Sequence, residues 1–444
     1  MNLPLLLLTL CQGLYLTSNV TLIAINGMVG LALAPTPWLA TLPVTTYVAG
    51  SALGAPLVAR HQRRFGRRRT FQLGLVVAML TAALCALSVV TGQFWLLLAS
   101  TLAAGYYNAN GSLYRFAAVE LVPPSAKERA ISWVLAGGIL GAVIGPQIAL
   151  HMRDALPQPF AGAYVALIGV TLLTLVLISF IDFPPLPVSE PGAPTGRPMS
   201  VMLRQQSFIV AVIVSALSYG VMNLLMAATP IAMAQHSHPF GHAALVLEWH
   251  VLGMYVPSFF TGGLIKRFGA PRVMATGVLL NLACVLVALS GVALMHFLVA
   301  LLVLGVGWNF LFIGATTLFT EAYQPEEKTR AQAMMDTTIY ATMTVSSFGS
   351  GALVTTGGWT RMNVAMVLPL ALMAAALGWL VLGRRRSSRA LPSRKHSEPV
   401  THRARLPPMR ERTSFSSTRP PWAMRSGDSR LSRHSHRPTR IGTT

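Results

Sequence analysis

Long apolar stretches alternate with short polar, glycine-rich or proline-rich segments along this chain of 444 residues. Twelve of the stretches reach the roughly 20 residues that a helix needs to cross a bilayer. They cover residues 3–31, 37–59, 70–91, 93–118, 130–150 and 159–181, followed by 207–234, 243–265, 272–293, 296–320, 334–356 and 363–383. The pattern predicts an all-α integral membrane protein with twelve transmembrane helices in two sets of six.

The two sets share an internal repeat. Asn309 lies 201 residues after Asn108, and Glu321 lies 201 residues after Glu120. A half-chain repeat of this kind is typical of two-lobed membrane carriers. The predicted parts of the chain are an N-terminal lobe over residues 1–182, a cytoplasmic connector over 183–206, a C-terminal lobe over 207–383 and a basic tail over 384–444.

Composition supports a membrane protein, because 53% of the residues are apolar and only 11% are charged, against about 25% charged in an average soluble protein. Of the net charge of +21, +13 lies in the tail that begins at Arg384. The tail has too few aliphatic residues to form a core, and we expect a disordered appendage or a contact with anionic lipid head groups. Nucleic-acid binding is not predicted, since only Phe415 and Trp422 could stack on bases.

Basic residues also orient the predicted spans. The loops on one side, which include residues 60–69 and 266–272, hold fifteen Lys and Arg, whereas those on the other side hold only Arg153 and Arg361. Cytoplasmic loops are enriched in Lys and Arg. The asymmetry predicts that both termini are cytoplasmic, and the expected location of the protein is the cytoplasmic (inner) membrane.

Two of the basic loops carry a related motif, RRFGRRR at residues 63–69 and GGLIKRFG at residues 262–269. Twelve spans in two sixes, with this turn after spans 2 and 8, resemble the major facilitator superfamily, whose loop signature reads G-x-L-x-D-R-x-G-R. Lys266 and Arg63 fill the position of the family's aspartate, so the resemblance does not extend to the acid of the family's gate. The glycines suit a tight turn that needs a positive φ.

The resemblance makes these loops, and the acids that end spans 4 and 10, candidates for a cytoplasmic gate. The arginines either set topology alone or pair with the acids as the gate closes. The predicted gating residues are Arg63, Arg64, Gly66, Arg67, Glu120, Lys266, Arg267, Gly269 and Glu321.

Polar side chains within spans are candidates for a substrate site, because each costs free energy in lipid. Arg115 lies about 9 Å inside the cytoplasmic end of span 4, with Asn108 near the same helix face. We expect Arg115 to bind an anionic or carbonyl-bearing substrate, or to alternate as the partner of a carboxylate. The alternative is a permanent pair with Glu120 near the membrane surface.

Further candidates come from other spans. Glu248 and His250 in span 8, and Asp336 and Tyr340 in span 11, are titratable and could carry protons or make structural pairs. In the facilitator fold spans 1, 4, 7 and 10 line the central cavity, although any one asparagine could merely join helices. The resemblance therefore adds Gln12, Asn19, Tyr107, Asn110, Tyr219, Asn223, Trp308 and Asn309.

No phosphate-binding glycine loop or nucleotide-binding domain is present, so neither an enzyme nor a cofactor is predicted. His236, His238 and His242 cluster in a predicted outer loop without nearby acids or cysteines, and no metal site is predicted there.

The resemblance implies a monomeric secondary transporter that moves a small organic solute by alternating access, with protons as the coupling ion. Proton-coupled efflux is the first expectation, and proton-coupled uptake of a metabolite or a vitamin such as riboflavin is the alternative. A membrane sensor or a lipid-handling protein on the same fold is the hypothesis from another class.

Overall fold

The computed structural model describes residues 2–123, 126–184 and 196–390, and within them all regular structure is helical. The predicted tail beyond residue 390 and most of the predicted connector lie outside the described residues. The helices before the connector are α1 (Leu3–Leu33), α2 (Leu42–Thr91), α3 (Phe94–Gly111), α4 (Tyr114–Ala117), α5 (Lys127–His151) and α6 (Ala161–Ser179). The helices after it are α7 (Met199–Met202), α8 (Gln206–Gln235), α9 (Phe240–Tyr255), α10 (Ser258–Phe268), α11 (Ala270–Ser290), α12 (Leu294–Thr320), α13 (Lys328–Ala365) and α14 (Val367–Ala390).

Eight helical stretches of the described chain are long and apolar enough to cross a membrane, or nine if the bent pair α9 and α10 forms one span. Two of the eight, over residues 37–91 and 330–384, are 55 residues long. At 1.5 Å per residue each measures about 80 Å, far more than the roughly 30 Å of a hydrocarbon core. Gly66 and Gly358, with φ of 78° and 68°, interrupt the helical backbone within these stretches.

Several predicted spans differ from the observed helices. The span predicted over residues 93–118 is divided, because α3 ends at Gly111 and a turn precedes α4. The span predicted over 243–265 bends by 42° between α9 and α10, next to Pro257, which lacks the N–H that would continue the helix. The last helix continues to Ala390 instead of ending at residue 383.

Small residues let α1 and α5 pack backbone to backbone. A Cβ atom added to Gly137 would lie 2.3 Å from the carbonyl oxygen of Thr9, and one added to Gly141 would lie 2.7 Å from the nitrogen of Thr17. Glycines four apart therefore form the smooth face along which these two helices meet.

Cysteine side chains contribute only to the interior. Cys11, Cys85 and Cys284 are all buried and unpaired. They fill space among apolar neighbours, as small hydrophobic residues do.

The two ends of the bundle differ in how the halves of the chain meet. We call the end that holds residues 60–69 and 266–272 the basic end, and the end that holds residues 34–41, 152–160 and 236–239 the opposite end. Contacts between the halves concentrate near the opposite end, where α5 packs against α9 and α2 against α13. The contacts there include Thr41 Oγ1 with Ser347 O at 2.7 Å, Gln147 Nε2 with Glu248 Oε2 at 2.9 Å, and the rings of Phe160 and Phe240 at 5.0 Å.

A buried ion pair fixes the chain just before α7 to the turn before α13. The Glu327 carboxylate is fully buried and accepts hydrogen bonds from Arg197 N, Nε and Nη2 at 2.8, 2.7 and 2.7 Å. The backbone N–H of Gln324 donates a fourth, at 2.9 Å. The hydrogen bonds from the Arg197 side chain, with the smaller contribution of Gln324, lower the pKa of Glu327 to about 2.

We expect this ion pair to make the stability of the protein pH-dependent. Because the pKa of Glu327 is lowered, its stabilisation is fully present above the ordinary carboxyl pKa of 4.5 and is lost as the pH falls from there towards 2. Glu327→Gln should lower the thermal unfolding midpoint at pH 7, and the difference from the wild type should shrink across that acidic range. Thermal unfolding of detergent-purified protein measures both effects.

Glu321 provides the matched control for this prediction. Its exposed carboxylate lies 3.9 Å from Arg384 Nη2, and exposed pairs at such distances contribute little. Glu321→Gln should leave the midpoint unchanged at every pH. Equal midpoints for Glu327→Gln and the wild type at pH 7 would contradict the prediction.

Candidate functional site

A cavity of about 240 Å³ lies between helices of both halves of the chain. Its walls come from α1, α3 and α4 in the first half and from α8, α9, α12 and α13 in the second. Nine of the fourteen predicted substrate or coupling residues line it, namely Gln12, Asn19, Asn108, Arg115, Tyr219, Asn223, Trp308, Asp336 and Tyr340.

Two predicted residues from α3 lie away from this cavity. The buried ring of Tyr107 packs edge-on against Tyr15 at 5.7 Å and lines a separate, much smaller pocket. Asn110 is buried and donates a hydrogen bond to the carbonyl of Tyr106 at 3.2 Å. Both side chains therefore contribute to packing within the first half.

The other three lie in contacts between helices. Glu248 faces α5 through its bond with Gln147, and the fully buried His250 makes a 2.7 Å bond through Nδ1 to the carbonyl of Leu301. Asn309 donates to the carbonyl of Met254 at 2.7 Å and accepts from Thr261 at 2.7 Å. Asn309 thus joins α12 to the break between α9 and α10.

Several lining residues were not predicted from the sequence. Tyr15 lies one helical turn from both Gln12 and Asn19, and Phe312 lies one turn from Trp308, so helical spacing could have indicated them. No signal marks the apolar members, because apolar side chains that face a cavity resemble those that face lipid. The residues in question are Tyr15, Leu16, Val20, Ile23, Ser112, Leu113, Phe116, Met222, Met226, Val251, Met254, Tyr255, Phe312, Ile339 and Met343.

A hydrogen-bond network centred on Asn108 forms the polar wall of the cavity. Asn108 Oδ1 accepts from Tyr15 Oη and from Asn19 Nδ2, both at 2.6 Å, and Asn108 Nδ2 donates to Ser51 Oγ at 2.8 Å. Asn19 Nδ2 also lies 3.2 Å from Tyr47 Oη. The network joins α1, α2 and α3, and it holds these side chains in one arrangement before any ligand binds.

Aromatic rings form the facing wall. Trp308 and Phe312 stack at 5.1 Å with an interplanar angle of 13°, and Tyr219 meets each of them edge-on at 5.1 Å. The Trp308 Nε1–H is buried without a hydrogen-bond partner. The wall therefore offers a flat aromatic surface, which suits a planar solute.

Arg115 lies at the cavity without an ion-pair partner. Its guanidinium sits 4.8 Å from the ring centre of Phe116, and its buried Nε makes no hydrogen bond. Among the side chains that the structure describes, no carboxylate lies within 4.0 Å of it. Glu120, the partner considered from the sequence, is instead bound by Arg67 through Nε at 2.6 Å and Nη2 at 2.5 Å.

The charge of Arg115 faces the second half of the chain. It lines the same cavity as Asp336 and the tyrosines at 219, 255 and 340. Asp336 is exposed to the cavity and Arg115 is half-buried. A cation from one half and an anion from the other are thus both free to bind a polar solute.

The cavity is open towards the basic end. Phe116 and Asp336, which line its basic side, are exposed, whereas Val20 is only 3% and Val251 only 2% exposed. The closed side is the one at which the two halves of the chain touch.

The predicted gating residues lie together at the basic end. The Arg67–Glu120 pair is supported by Gln62, whose Oε1 accepts from Arg67 Nη1 at 2.9 Å. Gly66 and Gly269 both have the expected positive φ, at 78° and 83°. The exposed members are Arg63, Arg64, Lys266, Arg267 and Glu321.

Sequence comparison places the chain in a family. The model described as Major Facilitator Superfamily matches residues 6–238 and 211–427, which together span most of the chain. This protein belongs to the major facilitator superfamily. The resemblance found in the loop motifs is therefore confirmed, and this facilitator is a multi-pass membrane transporter.

Curated relatives of this facilitator are transporters. It is 39% identical over 371 residues to a protein named riboflavin transporter RfnT of Brucella anthropi. The alignment covers 82% of this chain and 93% of the relative. It is 26% identical over 357 residues to YddS of Bacillus subtilis, an uncharacterised transporter of the same superfamily, over 77% of this chain and 82% of that protein. A small-molecule substrate is therefore indicated.

Solved structures show the same fold at low sequence identity. The D-xylose–proton symporter matches with a TM-score of 0.66 and 13% identity, over 83% of this chain and 96% of that one. The human organic anion transporter MFSD10 matches with a TM-score of 0.62 and 16% identity, over 84% and 99%. The family and the curated relatives indicate a transporter, and these solved structures show its fold.

Proposed function

We propose that this facilitator is a secondary active transporter that carries riboflavin, or a closely related planar heterocycle, inward across the cytoplasmic membrane. The observation that carries the proposal is the 39% identity to a riboflavin transporter over 93% of its length. The alternative drawn from the sequence, uptake of a vitamin, thus becomes the first hypothesis.

The chemistry of the cavity supports such a substrate. The riboflavin ring system is planar and carries two carbonyl groups beside an imide N–H. The Trp308–Phe312 pair offers a surface for stacking, and Arg115 can donate to the carbonyl oxygens. Gln12 also lines the cavity and can donate or accept. The volume of about 240 Å³ lies just below the roughly 300–1,000 Å³ of common ligand sites, so the cavity would hold one small solute.

The long helices support twelve spans. The stretches over residues 37–91 and 330–384 can each cross the bilayer twice, by turning at Gly66 and Gly358. With α3 and α4 counted as one broken span, and α9 and α10 as another, the total is twelve. The basic end would then be cytoplasmic, since it holds most of the loop Lys and Arg, and both termini would lie there.

Alternating access would move residues 1–182 as one lobe against residues 207–383 as another. Contacts between the halves close the opposite end, while the cavity is open at the basic end. The arrangement corresponds to a state that faces the cytoplasm. Asp336 would accept the coupling proton, because it lines the substrate cavity and carries no ion pair within the described residues.

Uptake of labelled riboflavin by a bacterial strain that lacks its own riboflavin transport tests the proposal. Cells that express the protein should accumulate riboflavin, and a protonophore should abolish the accumulation. Trp308→Ala should weaken uptake by about tenfold, because base–aromatic stacking contributes about 1–3 kcal/mol. Trp379→Ala is the matched control, since Trp379 is 49% exposed on the last helix.

Efflux of organic solutes remains the second candidate. It is the first expectation from the resemblance, although the α5 glycines with Pro146 match the glycine–proline motif of facilitator antiporters only in part. Faster loss of riboflavin from preloaded, energised cells would support this direction against uptake. Equal riboflavin movement in cells with and without the protein, in both directions, would contradict the riboflavin proposal.

A further inference from the structure

Two histidines at the opposite end point their ring nitrogens at each other. His238 lies in the turn between α8 and α9, and His242 lies in the first turn of α9. Their Nδ1 atoms are 3.4 Å apart. Both side chains are partly exposed, and neither lines the central cavity. The transport site therefore does not explain the pair.

The contacts of His238 fix which of its nitrogens is free. Its Nε2 lies 2.8 Å from the carbonyl oxygen of Val292. A carbonyl oxygen only accepts hydrogen bonds, so Nε2 carries the proton and the lone pair of Nδ1 is directed at His242. The ring also packs edge-on against the buried Phe297 at 5.6 Å. A metal ion would thus find one ligand atom already deprotonated, and a modest rotation of the rings would turn both nitrogens towards it.

The separation of the two nitrogens matches one coordination geometry. Zinc binds imidazole nitrogen at 2.0–2.1 Å with tetrahedral angles, which places two ligand nitrogens about 3.3–3.4 Å apart. A right angle at the same bond length would place them about 2.9 Å apart. The observed 3.4 Å agrees with the tetrahedral value. The pair has this spacing in a turn that contains Ser237 at a positive φ of 62°.

We propose that His238 and His242 chelate a zinc ion through their Nδ1 atoms, with water in the remaining positions. The Val292 carbonyl would act as the outer partner of His238, as carbonyls and carboxylates do behind most metal-binding histidines. Binding requires only that His242 move its proton from Nδ1 to Nε2. The chemistry is recognition of a borderline-soft divalent cation by two neutral imidazoles.

The sequence alone predicted no metal site here, because no acid or cysteine is near the three histidines. Among the side chains that the structure describes, no group of three or more His, Cys, Asp or Glu could hold a metal. The geometry instead favours a site with two protein ligands, His238 and His242, and water in the other positions. Water ligands also fit the partial exposure of both rings.

The histidine pair lies close to the contact between the two halves of the chain. His242 lies two residues after Phe240, whose ring contacts Phe160 of the first half at 5.0 Å. Through Val292, His238 also joins the loop between α11 and α12. Zinc would therefore fix the turn between α8 and α9 beside the point where the two halves meet.

Zinc binding by the full-length protein, purified without a histidine tag, tests the proposal. Equilibrium titration with Zn²⁺ should show a site that His238→Ala and His242→Ala weaken by about tenfold or more. His151→Ala is the matched control, because the exposed His151 lies at the same end of the bundle outside the pair. Histidines of the tail are present in every variant and contribute equally to each titration.

Two further measurements distinguish binding at this pair from Zn²⁺ bound elsewhere on the protein. Co²⁺ bound in place of Zn²⁺ should give the intense visible absorption of a tetrahedral site, which both single variants should lose. Zn²⁺ should raise the unfolding midpoint of the wild type and of His151→Ala, but not that of the conservative variant His242→Gln. Equal Zn²⁺ affinity in all variants, or a weak octahedral Co²⁺ spectrum, would overturn the proposal whether or not the protein carries riboflavin.

Discussion

Arg115→Ala is expected to slow riboflavin uptake by about tenfold to hundredfold while the protein stays folded. The guanidinium faces the cavity, and its buried Nε has no partner in the protein. Its removal therefore breaks no ion pair of the fold. A hydrogen bond from a charged group to a substrate contributes about 1.5–3 kcal/mol, which corresponds to that range of rates.

Arg115→Lys should restore only part of the activity. Lysine keeps the positive charge but lacks the planar fork that can bind two oxygens at once. Initial rates of uptake at several riboflavin concentrations would separate weaker binding from slower translocation. Arg204→Ala is the control, because Arg204 is exposed outside the cavity. Wild-type uptake by Arg115→Ala would exclude it from the substrate site.

Gly105→Ala is expected to abolish the yield of folded protein. A Cβ atom at this position would lie 2.2 Å from the carbonyl carbon of Gly50 and 2.3 Å from the nitrogen of Ser51. These are backbone atoms of α2, so no side-chain rotation can relieve the contact, and overpacking costs at least about 1–3 kcal/mol. Moving α2 outward would also pull Ser51 from Asn108 and open the polar wall.

Gly169→Ala, in contrast, is expected to fold normally and to be slightly more stable than the wild type. Gly169 lies within α6, and a Cβ atom there would meet nothing within 4 Å. Replacing a glycine by alanine inside a helix stabilises it by about 0.5–1 kcal/mol. Size-exclusion profiles and unfolding midpoints of the two variants measure the contrast. A well-folded Gly105→Ala protein would show that α2 and α3 do not meet as closely as described.

The apolar pattern predicted the positions of the helices well, but it predicted their ends less well. Charges at residues 60–69 suggested a loop, whereas α2 continues through them except at Gly66. Charged residues mark where a helix leaves the lipid, and a helix can continue beyond that point. The turn after Gly111 had no proline to indicate it, whereas the bend at Pro257 did.

The candidate site was predictable where polar residues stand in apolar spans. The repeat could not show which of two matched asparagines faces the cavity. Asn108 lines it, whereas Asn309 is held by Thr261 and by Ser258, whose Oγ lies 2.6 Å from its Nδ2. That difference depends on neighbouring helices brought together only by folding. The ion pair of Arg197 with Glu327 depends likewise on residues 130 positions apart.

Because all three cysteines are buried, the natural chain should react little with thiol reagents. Cys11, Cys85 and Cys284 are closed off from water-soluble maleimides while the fold is intact. A single cysteine introduced at Ser112, on the cavity wall, would be the one reactive thiol of the helical bundle. Its labelling by a membrane-impermeant reagent, in right-side-out and inverted vesicles, would report which face of the membrane the cavity reaches and how a substrate shifts that balance.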